Sequence, residues 1–168
     1  MVSRKELVFR WGLLAALCIV IFCFSGLKAD ESSEQSGFIV DLIIDTFFYN
    51  FKEFSTAKQE ALISLLVVIV RKTAHFTEYA VLSALAFCAF VRVRKYLPRY
   101  LLAVLFTFVY ACSDEFHQCF VPGRAGLFND VILDTCGGIV GGLAACFIAV
   151  FLAVRRILRE NSSKSSEI

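Results

Sequence analysis

Four long apolar runs, separated by shorter polar segments, dominate the chain; they cover roughly residues 8–27, 73–91, 100–120 and 131–154. The hydrocarbon core of a bilayer is about 30 Å thick, and a helix needs about 20 apolar residues to cross it. In lipid, each backbone polar group must be satisfied within its own helix or in a closed barrel, and these runs lack the alternation of barrel strands. The pattern therefore predicts an all-α, four-helix transmembrane bundle.

The connection between the first two spans, residues 28–72, is long and changes character along its length. Residues 30–37 are polar and predict a loop. Residues 38–54 are amphipathic, with carboxylates one turn apart among large apolar side chains, and they predict a helix. This helix either lies on the membrane surface or packs over the bundle as a lid. Residues 61–70 are too short to span, so they either extend the second helix or dip into the bilayer.

Basic residues orient the bundle, because lysine and arginine accumulate in cytoplasmic loops. The loop after the first span is acidic, which favours the outside of the cell for residues 28–72. An even number of spans then places both termini, including the tail at 155–168, in the cytoplasm. Eleven of the 17 basic residues lie in three segments that this arrangement brings to one side: Arg4, Lys5 and Arg10; Arg92, Arg94, Lys95 and Arg99; Arg155, Arg156, Arg159 and Lys164.

Composition agrees with a membrane protein. Hydrophobic residues make up 58% of the chain and charged residues 19%, with a mean hydropathy of +0.72, whereas soluble domains are about 45–50% apolar. The length suits one domain, residues 1–168. The net charge of +2 is too small to favour nucleic acid, so the expected partner is the lipid bilayer.

Ionisable residues near the ends of the predicted spans indicate a candidate functional site. His75 and Glu78 lie three residues apart and share a helix face, and Asp114, His117 and Gln118 are spaced the same way. With the predicted orientation, these side chains lie at the outer ends of three spans. The candidate catalytic residues are His75, Glu78, Asp114, Glu115 and His117. The candidate substrate-binding residues are Arg71, Lys72, Gln118, Arg124, Asp130 and Asp134.

The position of these residues in the membrane predicts that they cluster. An ionisable residue inside the bilayer costs about 2.5–3.5 kcal/mol on insertion scales, so such residues face each other or a water-filled cavity. The cluster is either a functional site or a network that fixes helix register. Tyr79 is interpreted as an anchor at the membrane interface, and Ser113 as a hydrogen-bond partner of the backbone. Pro122, Gly123 and Arg124 predict a turn between the last two spans.

The fourth span carries a doubled small-xxx-small pattern, formed by Gly137, Gly138, Gly141 and Gly142. Glycines let helix backbones approach closely in lipid. The pattern predicts close helix packing, and a homo-oligomer through this face is compatible with it.

At these motifs the sequence resembles the VanZ-like family, over residues 10 to 150. The resemblance is carried by RKTAHFTEY (71–79), SDEFHQCFVPGR (113–124), DVILDTCGGIVGG (130–142) and FSGLKADESSEQSG (24–37). It implies a bacterial cytoplasmic-membrane protein related to teicoplanin resistance. The family's polar motif carries over to His75, Glu78, Tyr79, Asp114, Glu115, His117, Gln118, Arg124 and Asp130. The chain departs from that motif at Asp134, where the family pattern leads us to expect asparagine.

Three functions fit these residues. The first is binding or modification of a lipid-linked cell-wall precursor or a phospholipid headgroup, because arginine forms forked bonds to phosphate. The second is a metal-dependent or acid–base enzyme, in which histidines and carboxylates hold a divalent cation or exchange protons; the HxxE spacing of the second span does not match HExxH. The third is a non-enzymatic membrane protein whose polar cluster is structural.

Overall fold

A computed structural model describes residues 2–26 and 29–165, and the side chains within 2–26 and 36–162. Five α-helices make up this part: α1 (Arg4–Ser25), α2 (Ala29–Phe47), α3 (Thr56–Ala89), α4 (Tyr96–Gln118) and α5 (Phe128–Ser165), with a 3₁₀ helix at Phe51–Glu53. Neither described stretch contains a β-strand. The all-helical prediction is confirmed. The acidic side chains of Asp30, Glu31 and Glu34 and the side chain of Lys164 lie outside the described residues.

Three helices are long and apolar enough to cross a membrane: α1, α4 and the Phe128–Ser162 part of α5. They correspond to the predicted first, third and fourth spans. The predicted second span, residues 73–91, lies in α3, which is not in this group. Charged and polar residues such as Arg71, Lys72 and Glu78 interrupt the apolar run of α3 and lower its mean hydropathy.

The connection after α1 differs from the prediction. Residues 30–37 were expected to form a loop, but the backbone is helical from Ala29 onward. The amphipathic segment predicted at 38–54 is not one helix, because α2 ends at Phe47 and the 3₁₀ helix follows. Val40 and Ile44 of α2 are buried in a small apolar cluster with Leu66 of α3. The amphipathic helix therefore packs on α3, as expected for a lid.

Residues 61–70 belong to α3, which runs without a break for 34 residues. Of the two alternatives for this stretch, extension of the second helix is therefore confirmed. The same helix carries the polar motif at 71–79 into the middle of the bundle, where Tyr79 and Leu82 are fully buried.

Contacts between helices show how α1 runs relative to α3 and α4. Trp11 of α1 packs edge-on against Phe90, just after α3, with ring centroids 5.5 Å apart. The hydroxyl of Tyr110 in α4 donates to the carbonyl oxygen of Cys18 in α1 at 2.6 Å. Further along α1, Phe22 stacks on His117 of α4, and Leu17 lines the same groove as Thr77 of α3. The contacts advance along α1 and α4 together and run backward along α3, so α1 is parallel to α4 and antiparallel to α3. The end of the bundle where α1 and α4 finish and α5 begins is called the polar end, and the opposite end is called the basic end.

Glycines on α5 explain the close packing of α5 on α3. A Cβ atom at Gly137 would overlap the backbone of Phe76, and one at Gly141 would overlap the backbone of Ala80. A Cβ at Gly138 would lie 2.6 Å from Thr107 Cγ2 of α4. The predicted packing role is confirmed. Because α3 and α4 of the same chain occupy this face, a homo-oligomer would have to use another surface.

Arginines gather at the basic end. The guanidinium of Arg10 donates to the carbonyl oxygen of Cys88 at 3.1 Å, and that of buried Arg99 donates to the carbonyl oxygen of Phe87 at 2.5 Å. These carbonyls belong to the last turn of α3, where cations also interact favourably with the helix dipole. Arg4, Arg92 and Arg94 line a shared surface cavity nearby. Two of the three predicted basic segments therefore lie together.

Candidate functional site

A cavity of about 220 Å³ lies at the polar end, between α3, the end of α4 and the start of α5. It is called the polar cavity. Side chains from three helices and the loop at 119–127 converge on it, as the sequence predicted for one layer of the bundle. Its lining comprises Arg71, Lys72, His75, Glu115, Gln118, Gly123, Arg124, Ala125, Leu127, Asp130, Leu133 and Asp134.

The loop at 119–127 is fixed to α4 by one carboxylate. Oε2 of Glu115 accepts a hydrogen bond from the backbone N–H of Leu127 at 2.8 Å. At Gly126 an added Cβ would overlap the backbone of Glu115 and lie 2.6 Å from Cys119 Sγ, so only glycine lets the loop approach this closely. Gly123 has a positive φ of 78° and completes the predicted turn. Gly126 and Leu127 were not among the predicted site residues, and the glycine was the one feature of the sequence that could have indicated this close approach.

Two carboxyl groups on the last turns of α4 are held side by side. Asp114 and Glu115 are both buried. The amide nitrogen of Gln118 donates to Asp114 Oδ2 at 3.4 Å and to Glu115 Oε1 at 3.3 Å. Glu115 and Gln118 line the polar cavity, whereas Asp114 is not part of its lining.

Asp134 is the most deeply buried acid of the site, with 0% of its surface exposed. Neither of its carboxyl oxygens has a hydrogen-bond partner among the described residues, and the same is true of Asp114 Oδ1 and His75 Nδ1. A buried polar atom without a partner costs about 1–3 kcal/mol, so native structures seldom leave one unsatisfied. The hydroxyl of Tyr79 is also buried without a partner by the same criteria, and Tyr79 interacts electrostatically with both Asp114 and Asp134, so the protein itself offers these acids one potential donor.

Positive charge lines the cavity from α3 and from the loop. Lys72 Nζ lies 2.5 Å from Asp130 Oδ1, an ion pair whose side chains are 43% and 25% exposed, so its contribution to stability is small. Burial, and secondly Arg71, lower the pKa of Arg124 from its usual value, while Asp114 and Glu115 raise it. An arginine nevertheless stays protonated in proteins. Arg71 and Arg124 both line the polar cavity, so two positive charges lie beside the same space.

A second cavity, also of about 220 Å³, adjoins the polar cavity. Arg71, His75 and Arg124 line both. Glu78 lines the second cavity and not the polar cavity, together with apolar residues of α1, α2 and α3. Of the predicted pair, His75 therefore lines both cavities, whereas Glu78 lines only the second cavity.

Two residues lie elsewhere than predicted. The His117 ring stacks on Phe22 of α1 with centroids 4.3 Å apart, and His117 does not line the polar cavity. Tyr79 was interpreted as an interface anchor, but this is wrong, because the side chain is fully buried beside Tyr110. The interpretation of Ser113 is confirmed, since its hydroxyl donates to the carbonyl oxygen of Tyr110 at 2.7 Å.

The metal hypothesis required several ligands in one place. Among the residues that the structure describes, no group of three or more histidine, cysteine, aspartate or glutamate side chains is arranged to hold a metal ion. The histidines are separated, with His75 on the cavities and His117 against α1. The side-chain positions therefore add nothing in favour of a metal centre.

Comparison with known proteins identifies one family. The family described as VanZ/LLP1 matches residues 10–151 of the chain. This region contains the polar end, the loop at 119–127 and the glycines of α5. No curated protein and no solved structure matches the chain.

Proposed function

We propose, for a chain that belongs to the VanZ/LLP1 family, that the polar cavity and the second cavity bind the phosphate-bearing headgroup of a lipid or lipid-linked molecule of the cell envelope. A link to teicoplanin resistance, through the family resemblance, belongs to the same proposal. The observation that carries it is that Arg71 of α3 and Arg124 of the loop at 119–127 line both cavities, together with His75 of α3. Planar guanidinium groups recognise phosphate through paired hydrogen bonds.

The proposal includes a placement in the membrane. On this view residues 1–168 form one domain of a bacterial cytoplasmic membrane, and residues 73–91 of α3 act as a fourth span. The termini face the cytoplasm, and the polar end faces the outer leaflet. Support comes from the basic end, where Arg4, Arg92 and Arg94 share one cavity, as the positive-inside rule requires of cytoplasmic segments.

Cysteine labelling tests this placement. In a variant whose seven cysteines are replaced by alanine, Tyr49→Cys and Arg94→Cys each introduce one exposed thiol. Tyr49 is 90% exposed between α2 and α3, so a membrane-impermeant maleimide should label it in intact cells. Arg94→Cys should react only after permeabilisation. Labelling of Arg94→Cys in intact cells would reverse the orientation and remove the outer-leaflet site.

Buried acids complete the recognition of such a headgroup. Asp134 and Asp114 have carboxyl oxygens without partners, and carboxylates accept hydrogen bonds from hydroxyl, amide or ammonium groups. A headgroup that carries hydrogen-bond donors beside its phosphate would therefore contact both the arginines and the acids. A bare inorganic phosphate would contact the arginines only.

A second candidate is acid–base chemistry on the bound headgroup. His75 lines both cavities, and its Nδ1 has no partner among the described residues. An imidazole in this position can accept a proton from, or return it to, a group held between the arginines. Enzymatic modification would then occur at the same site as binding.

Lipid capture tests the function. Purified wild-type protein is incubated with a lipid extract of its own membrane, and the retained lipids are identified by mass spectrometry. Loss of one charge-assisted hydrogen bond costs about 1.5–3 kcal/mol, and each 1.4 kcal/mol is about tenfold in affinity. We therefore expect Arg124→Ala to reduce retention of phosphate-bearing lipids tenfold or more. Glu78→Gln should change which headgroups are retained.

Arg94→Ala is the matched control, because it removes an exposed arginine at the basic end. It should leave retention unchanged. Equal retention by Arg124→Ala and wild type, with both proteins folded, would rule out phosphate recognition and favour a structural role for the cluster. Conversion of a retained lipid to a product of different mass, absent in His75→Gln, would support the acid–base candidate.

A further inference from the structure

An apolar groove of about 600 Å³ runs between α1, α2 and α3 beside the second cavity. Its volume is within the range of ligand sites, roughly 300–1,000 Å³. Residues of all three helices form its walls, among them Leu17, Ile39, Ile43, Ile69, Thr77 and Val81. Several of these side chains, including Ile39, Ile69 and Val81, are exposed, so the groove is open along its length.

The groove continues into the polar site. Ile39, Val70, Ala74 and Glu78 line both the groove and the second cavity. The second cavity in turn shares Arg71, His75 and Arg124 with the polar cavity. A continuous path therefore runs from apolar walls, past Glu78, to the arginines. An apolar surface that continues into a positively charged one is complementary to a molecule with a hydrocarbon chain at one end and an anionic headgroup at the other.

We infer that the groove holds the hydrocarbon chain of a lipid phosphate whose headgroup occupies the polar site; this inference rests on the proposed function. The lipid would reach the arginines sideways, along the open groove between α1, α2 and α3. The groove itself offers almost no polar side chain except Glu78 and two threonines. Glu78 lies where the groove meets the second cavity, beside the point at which the lipid headgroup would join its hydrocarbon chain.

A substitution at Thr77 can test the groove separately from the polar site. Thr77 lines the groove but lines neither the polar cavity nor the second cavity. Its side chain is exposed, and its hydroxyl donates within α3, to the carbonyl oxygen of Thr73 at 2.8 Å. A phenylalanine there would narrow the groove without removing a contact between helices. Ala144 of α5 is an exposed helical position away from the groove, so Ala144→Phe is the matched control.

Photo-crosslinking tests the inference on the full chain in lipid nanodiscs. The probes are a phosphatidic acid with a diazirine on one acyl chain and a diacylglycerol with the same chain. Peptides that carry the label are mapped by mass spectrometry. In wild type, we expect phosphatidic acid to label groove residues of α2 and α3 at least fivefold above the exposed faces of α4 and α5. Thr77→Phe should reduce this labelling severalfold, and Ala144→Phe should not.

The outcomes distinguish the two proposals. Uniform labelling of all exposed faces would overturn the groove inference. If Thr77→Phe retains phosphate lipids in the capture experiment and wild type shows no groove labelling, the phosphate site stands and the groove inference fails. Equal groove labelling by diacylglycerol and phosphatidic acid would support binding of the acyl chain in the groove and contradict recognition of the phosphate. Thermal unfolding of both variants confirms that they are folded.

Discussion

Gly141→Ala is expected to lower the free energy of unfolding by roughly 1–3 kcal/mol, and by more if the helices cannot separate. The added methyl group would overlap the backbone of Ala80, with its Cβ only 2.6 Å from Ala80 Cα. The overlapped atoms are backbone, so no side-chain rotation relieves the overlap. Relief requires α5 to move away from α3, which would also disturb Asp134 and Lys72 at the polar end.

Gly12→Ala provides the matched control for this prediction. It makes the same chemical change in α1, where an added Cβ would have nothing within 4 Å. Because alanine is a better helix former than glycine by about 1 kcal/mol, this variant should be as stable as wild type or more stable. Thermal unfolding in detergent and the yield of monodisperse protein give the comparison. If both variants unfold at the same temperature, the glycines of α5 are not under a packing constraint.

The sequence predicted this packing because its cause is local. Glycines four residues apart on an apolar helix expose a strip of backbone, whatever the partner is. The convergence of polar residues could also be predicted, since it follows from antiparallel neighbours and from where each polar motif falls in its helix. Lys72 and Asp130 are distant in sequence, yet form an ion pair at the predicted end.

The position of His117 shows what helical spacing leaves undetermined. Successive residues of a helix are about 100° apart, so Asp114, Glu115, His117 and Gln118 spread over roughly 160° of α4. An arc of this width faces more than one neighbour. The rotation of α4 places Glu115 and Gln118 on the cavity and turns His117 toward Phe22. That rotation depends on how the whole bundle packs, which spacing within one helix does not specify.

The helix at 29–37 was missed for a different reason. Serines and Gly37 favour a loop, whereas alanine, glutamate and glutamine in the same stretch favour a helix. Local preferences nearly cancel there. The outcome follows from the next part of the chain, where Val40 and Ile44 are buried against α3. Tertiary packing of that amphipathic part fixes α2, and the helix extends backward to Ala29.

Glu115→Ala is expected to disturb both stability and the site, because one carboxylate connects α4, Gln118 and the loop. The substitution removes the acceptor of the Leu127 N–H and one of the two acceptors of the Gln118 amide. Hydrogen bonds to charged groups contribute about 1.5–3 kcal/mol, so the free energy of unfolding should fall by about that amount. The loop at 119–127 carries Arg124, and lipid retention should fall with it.

Two further variants make this prediction specific. Glu115→Gln keeps an oxygen that can accept from Leu127 and should recover most of the stability. Glu160→Ala removes an exposed glutamate that pairs with Arg156 on the surface of α5, and an exposed pair of this kind contributes about 0.3–0.5 kcal/mol. Hydrogen exchange at 119–127, measured beside thermal unfolding, should accelerate in Glu115→Ala alone. If Glu115→Ala behaved like Glu160→Ala, the loop would be held by something other than this carboxylate, and Arg124 would keep its position without it.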